Sequence, residues 1–202
     1  MQEHMVDPYD TVILAGGEAA RMGSVDKPAL EVADRTLLER VADAAAGTTR
    51  TIVVGPPRDR PAARYVREEP SGGGPVPALR AGLAHVTAPW VTLLAGDLPF
   101  LGSAHVAALR RVAGGRAGAV LLDGRGKRQW LVSVWHAATL RAALGSYSGN
   151  SLHGLLMPLD AATLSLPETE IWAAFDCDTP EELAEARRHG ASQSERRRGD
   201  GP

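Results

Sequence analysis

Short apolar runs rich in β-branched residues alternate along this chain with alanine-rich stretches of helical period, and this alternation constrains the fold more than any other feature. Runs over residues 11–14, 51–54, 63–66, 90–94, 119–122, 131–135 and 162–166 have the length and composition of strands. Stretches over 37–46, 76–84, 104–112, 138–144 and 180–188 have the spacing of helices with one apolar face. The pattern predicts an α/β fold in three layers, with helices on both faces of a mostly parallel sheet. Such sheets bind ligands at the carboxyl ends of their strands. Attention therefore falls on the residues after Leu14, Val66 and Leu94.

The 202 residues are enough for one domain with its own core, expected over residues 1–190. Residues 191–202 are charged and lack apolar anchors, and are expected to form a disordered tail. A net charge of −2 argues against a nucleic-acid partner bound through broad phosphate neutralisation. The single cysteine, Cys177, can form neither an internal disulfide nor a zinc cluster, which fits a reducing compartment. The first ten residues are polar, and no apolar run is long enough to span a bilayer. The expectation is a cytoplasmic protein with no membrane partner.

The first strand runs directly into Ala15-Gly16-Gly17-Glu18-Ala19-Ala20-Arg21-Met22-Gly23-Ser24-Val25-Asp26-Lys27-Pro28. Small residues at a strand end let backbone N–H groups approach an anion without an intervening side chain. Leu14, Ala15, Gly16 and Gly17 are the candidates for that cradle. Arg21 and Lys27 supply the positive charge that a triphosphate requires, arginine as a two-pronged donor and lysine as a mobile point charge. The alternative is a strand-to-helix turn with incidental charges. A Walker-type loop is excluded, because Gly23 is followed by Ser-Val-Asp-Lys-Pro. The dinucleotide fingerprint Gly-x-Gly-x-x-Gly is also absent from this loop.

Two acidic motifs follow. The run ending at Leu94 continues as Ala95-Gly96-Asp97-Leu98-Pro99, so Asp97 lies at a strand tip where little steric cover separates it from a metal. Magnesium takes one or two carboxylates together with phosphate oxygens and water. Near the end, Asp176-Cys177-Asp178-Thr179-Pro180-Glu181-Glu182 contains a capping box from Thr179 to Glu182, with Pro180 at the first helical position. Asp178 then lies just outside the helix. Both aspartates have a plainer reading as turn or helix-terminus residues. No serine, histidine and acid spacing supports a hydrolase.

The stretch Leu14-Ala15-Gly16-Gly17-(x)3-Arg21-Met22-Gly23-(x)2-Asp26-Lys27, together with the later motifs, resembles the nucleotidyltransferase superfamily that includes the molybdenum cofactor guanylyltransferases. The likeness covers roughly residues 10 to 188. It implies a Rossmann-like, nucleotide-diphospho-sugar transferase-like fold. It also implies transfer of a nucleotide, GMP from GTP first, to a phosphate-bearing acceptor with release of pyrophosphate. Molybdopterin is the first acceptor implied. Cytidylyl or guanylyl transfer to phospholactate or a sugar phosphate is the alternative, as is a catalytically silent nucleotide-binding protein.

By the same resemblance Asp97 is a Mg2+ ligand and Asp178 the second, with Asp176 as its rival. Arg21 and the loop amides hold the outer phosphates, and Lys27 stabilises the charge that grows during transfer. Gly74-Pro75 passes near the base and ribose, and Glu69 stands where relatives have an aspartate that contacts the nucleotide. Relatives have glycine where this chain has Ala78, and commonly Gln-Pro where it has Gln129-Trp130. Residues 124–129 and the short helix opened by Asn150-Ser151-Leu152-His153 are expected on the acceptor side.

Overall fold

The computed structural model describes residues 7–16 and 26–199, with backbone alone over residues 193–199. In chain order it contains β1 (Tyr9–Leu14), a 3-10 turn (Lys27–Ala29), β2 (Glu31–Val32), β3 (Arg35–Thr36), α1 (Leu37–Ala44), β4 (Arg50–Val54) and β5 (Arg64–Val66). Then follow α2 (Pro75–Leu83), β6 (Trp90–Ala95), α3 (Ser103–Val112), β7 (Gly118–Leu122), β8 (Arg128–His136), α4 (Ala137–Ser146) and α5 (Leu152–Leu156). The last elements are β9 (Ala161–Ser165), a 3-10 segment (Glu168–Ala174) and α6 (Pro180–Gly199).

Seven strands form one sheet in the order β5-β4-β1-β6-β8-β7-β9. The pairs β4–β5, β1–β4, β1–β6 and β7–β9 are parallel, and only β8 runs against its neighbours. This is the mostly parallel sheet that the sequence predicts. The exception has a local cause. Asp123 Oδ1 accepts the N–H groups of Arg125 and Lys127, both at 2.9 Å, which folds the chain into a tight turn and returns β8 beside β7.

Side-chain alternation along the strands feeds two cores. Tyr9, Ile13, Val53 and Leu94 face one layer with Leu38 and Val41 of α1 and Val106 and Leu109 of α3. Val12, Leu14, Ile52, Val54 and Leu93 face the other, with Leu79 and Leu83 of α2, Leu140 of α4 and Leu155 of α5. Ala78 is 8% exposed in this second core, so its methyl packs α2 onto the sheet. A third, smaller core joins Val32 and Leu37 to Cys177, Leu183 and Ala186. It fastens the segment after Lys27 to the start of α6.

Helix α6 extends to Gly199, past the residue 188 end expected from periodicity, and the boundary expected at residue 190 falls inside it. Glutamine, glutamate and arginine sustain a helix by propensity where no apolar face requires one. Among the described residues no helix is long and apolar enough to cross a membrane.

Candidate active site

Because six of the seven strands point the same way, the ends of β1, β4, β5, β6 and β7 share one edge with the start of β8. The candidate residues lie along that edge. Beyond β1, Ala15 N–H donates to Val54 O at 2.9 Å, and Gly96 N–H donates to Leu14 O at 3.0 Å, so the ladder continues into the loops. Leu14 and Ala15 are themselves buried, at 9% and 5% exposure, and serve through backbone. A Cβ on Gly55 would lie 2.8 Å from Ala15 O, and one on Gly96 would lie 3.0 Å from Ala15 Cβ. Glycine on both sides is therefore what lets the Ala15-Gly16 backbone sit between its neighbours.

Gly16 is exposed and lines a pocket of about 210 Å3 with Gly55, Pro56, Arg67, Glu68, Ser71 and Gly72. The carboxylate in this wall is Glu68, 8% exposed, whose Oε1 accepts the Gly72 N–H at 3.2 Å. Glu69 is exposed and is not among the lining residues. Gly74 caps α2 with a positive φ of 93°, and Pro75 begins it, but neither lines the pocket. Ser71 and Gly72, ahead of the α2 N-terminus, line it instead. Gly17, Arg21 and Gly23 lie outside the described residues.

A second cleft, of about 360 Å3, opens between two groups of residues. On one side are Asp97, Leu98, Asp176 and Asp178, and on the other Lys127, Arg128, Gln129, Trp130 and Leu131. Five hydrogen bonds assemble the acidic side. The Cys177 N–H donates to Asp97 O at 3.3 Å, tying the two aspartate-bearing loops together. Lys27 Nζ lies 2.7 Å from Asp178 Oδ1. Glu182 Oε2 accepts the N–H groups of Asp178 and Thr179, both at 2.8 Å, while Thr179 Oγ1 accepts the Glu182 N–H at 3.2 Å. The expected capping box is therefore present, and it sets the backbone of Asp178.

The electrostatics follow from this crowding. Burial, and then the charges of Asp176 and Asp178, push the Asp97 carboxyl up to about 6, with Lys27 opposing. Burial and Asp178 push Asp176 up as well. Cys177 is fully buried and its thiol is pushed up to about 12, chiefly by burial, so it packs as a neutral side chain. Among the described residues no three His, Cys, Asp or Glu side chains are gathered as a ready-made metal cage. A hard divalent cation needs fewer from the protein. The charges that raise Asp97 mark a donor set whose repulsion such an ion relieves, and magnesium draws its remaining ligands from phosphates and water.

On the opposite wall, Asp123 Oδ2 accepts from Gln129 Nε2 at 2.7 Å, steadying the hairpin that presents Lys127 and Arg128. Arg128 lies over the Trp130 ring at 5.7 Å, and the His153 ring meets Trp130 edge-on at 5.8 Å. Of residues 124–129, Lys127, Arg128 and Gln129 line this cleft, and Leu152 of the short helix joins them, while His153 meets Trp130 without lining it. Glu68 and the Gly55-Pro56 turn line the pocket beside Gly16 although the sequence motifs did not single them out. Gly55-Pro56 carried a usable signal, since it follows a strand as Gly16 does.

Such an edge, with a small-residue pocket and an acidic cleft at the ends of parallel strands, defines a nucleotide-diphospho-sugar transferase-like domain. The chain belongs to the MobA-like NTP transferase domain family, whose pattern matches residues 11–163. It is 30% identical to the molybdenum cofactor guanylyltransferase of Rhodopseudomonas palustris (strain BisB5), an alignment covering 93% of this chain and 96% of that one. The molybdopterin-guanine dinucleotide biosynthesis protein A of Archaeoglobus fulgidus shares the fold with a TM-score of 0.73 at 17% identity, over 91% of this chain and 99% of that one. The 2-C-methyl-D-erythritol 4-phosphate cytidylyltransferase of Thermus thermophilus also shares it, with a TM-score of 0.68 at 19% identity, over 91% and 99%. The family resemblance read from residues 14–27 is thereby borne out, as is the fold class.

Proposed function

We propose that this chain transfers GMP from GTP to the phosphate of molybdopterin and releases pyrophosphate. The observation that carries this reading is that Lys27 pairs with Asp178, which lines one cleft together with Asp97 and Lys127–Leu131. The relatives named as molybdenum cofactor guanylyltransferases support the same donor and acceptor.

The guanine enters the pocket beside Gly16, where nothing larger than hydrogen intrudes at that position. The Glu68 carboxylate accepts from N1–H and the 2-amino group, a donor pair that cytosine and adenine do not present. Arg21 and the loop amides are assigned to the outer phosphates. Lys127 and Arg128 receive the acceptor phosphate and hold it in line with the α-phosphorus. An acceptor oxygen forms a bond to the α-phosphorus as the bond to the bridging oxygen of pyrophosphate breaks. Lys27 neutralises the negative charge that accumulates on this path. The acceptor phosphate is already ionised near neutral pH, so no protein base is required. Asp97 and Asp178 would hold a magnesium ion, which when bound supplies charge neutralisation and orientation at the α-phosphate.

The test is pyrophosphate release with each of the four triphosphates against molybdopterin, phospholactate and a sugar phosphate, with and without magnesium. Release confined to GTP with molybdopterin supports the proposal. Release with CTP and another acceptor replaces it, and no release with any pair leaves a nucleotide-binding protein.

A further inference from the structure

The loop after β4 serves this edge twice. Its first residues, Gly55 and Pro56, line the pocket beside Gly16. Two residues further on, Arg58 reaches Asp26, which immediately precedes Lys27. Nη1 of Arg58 donates to Asp26 Oδ2 and Nη2 to Oδ1, each at 2.6 Å. This is the parallel two-bond geometry that makes an arginine–carboxylate pair directional. The Arg58 side chain is 16% exposed and that of Asp26 52%. Nε of Arg58 is buried without a partner, so the two bonds to Asp26 compensate the guanidinium for its burial.

Exposed ion pairs ordinarily contribute little. Here one partner is largely buried and the geometry is two-pronged. Asp26 also stands at the cap position of the Lys27–Ala29 turn, yet its side chain makes no capping hydrogen bond there. Its carboxylate is committed to Arg58 instead.

We propose that Arg58 is a positioning residue for the transfer reaction: by gripping Asp26 it fixes the backbone from which Lys27 reaches the triphosphate, and joins that backbone to the loop that walls the base pocket. This rests on the assignment of Lys27 to the triphosphate. The pair is separate from the Lys27–Asp178 contact, and it acts on the position of the lysine rather than on its charge.

The test compares kcat for pyrophosphate release at saturating GTP in the parent, Arg58→Ala, Arg58→Lys, Lys27→Ala and the Arg58→Ala/Lys27→Ala double variant. Arg58→Ala should lower kcat about tenfold, within the range of an ångström-scale misplacement of a catalytic group. Arg58→Lys should recover only part of this, since an ammonium cannot make both bonds. In the Lys27→Ala background the same Arg58→Ala change should lower kcat less than about twofold, because the group it positions is gone. An undiminished tenfold loss in that background overturns the proposal, whatever the melting temperatures. Parental turnover by Lys27→Ala alone overturns the underlying assignment instead, so the two failures are told apart. Should Arg58→Ala not fold, Asp26→Ala in the same pair of backgrounds removes both accepting oxygens from the exposed side and is read identically.

Discussion

Lys27 Nζ stands 2.7 Å from Asp178 Oδ1, an ion pair between residues 151 positions apart in the chain. The third core explains how they meet. Val32 and Leu37, just after Lys27, pack with Cys177 and Leu183, which bracket Asp178. The lysine side chain is 15% exposed and the aspartate 38%, so the pair is partly shielded from water. An ammonium on a flexible stem has no fixed donor direction. It can therefore turn from a carboxylate to a phosphate oxygen without any movement of the backbone that the third core holds.

From this placement, Lys27→Ala should lower turnover about 100-fold, the scale of losing one electrostatic stabiliser. GTP affinity should weaken far less, because the growing charge belongs to the reaction path rather than to the bound ground state. Steady-state kinetics together with calorimetric titration of GTP measure the two effects separately. Near-parental kcat would remove Lys27 from the mechanism.

Asp178→Asn should be milder, with a loss of about tenfold or less, below that of removing a stabiliser outright. The carboxamide oxygen still accepts from Lys27 and can still ligate a cation. Asp178→Ala, which keeps neither capacity and leaves a partly buried ammonium with a weaker partner, should lose more. If the two variants are equally impaired, the coordinating oxygen is not what matters at this position.

Base selection rests on the pocket beside Gly16. A Cβ built there would meet Val54 O at 3.5 Å and Gly55 Cα at 3.7 Å, ordinary contacts, so Gly16→Ala should fold normally. The added methyl should nonetheless narrow the preference for GTP over CTP by about 1–3 kcal/mol, the value of one methyl-sized change in a tight site. Glu68→Gln should weaken GTP binding and shrink the preference for GTP over ITP, which lacks the 2-amino group. Titration calorimetry with the three nucleotides reads both. Stronger binding of CTP by the parent protein would end the guanylyl assignment while leaving the fold as described.

Much of this was legible in the sequence, and the parts that were not have physical reasons. The strand expected over residues 11–14, which runs from Tyr9 to Leu14, and the strand end before Asp97 could be read because β-branched runs followed by small residues mark strand ends. Thr179 and Glu182 could be read because a capping box is a local pattern. Glu68 and Glu69 could not be separated, since they are neighbours in the loop after β5 and sequence alone does not fix which of the two lines the pocket. β8 starts at Arg128, not residue 131, because the first residues pair with Leu121 and Leu122 across the hairpin. Polar and aromatic residues there hide a strand that is made by pairing rather than propensity. Arg58 and Asp26 lie 32 residues apart in separate loops, and no period announces such a pair.

The last prediction concerns Asp97, whose carboxyl is pushed up to about 6 from an ordinary 3.8 by burial and by Asp176 and Asp178. Between those values the folded protein holds a proton that the unfolded chain has released. Stability from this group is therefore full below about pH 4 and falls as pH rises towards 6 and above. Over that window the metal-free protein should lose up to about 3 kcal/mol, since each pH unit separating the two values is worth about 1.4 kcal/mol. Asp97→Asn removes the ionisation while keeping the shape. Without metal, the variant should melt several degrees above the parent at pH 7.5, and the advantage should shrink as the pH approaches 4. Magnesium with GTP should reverse the order, raising the parent's melting temperature more than the variant's, because only the parent offers the full charge. Transfer should fall steeply in the variant at every magnesium concentration. The measurement is a pair of melting series against pH and against magnesium, run beside pyrophosphate release. A variant no more stable than the parent at pH 7.5 would mean that Asp97 is not strained by its neighbours. Full activity with unchanged magnesium dependence would place the metal elsewhere.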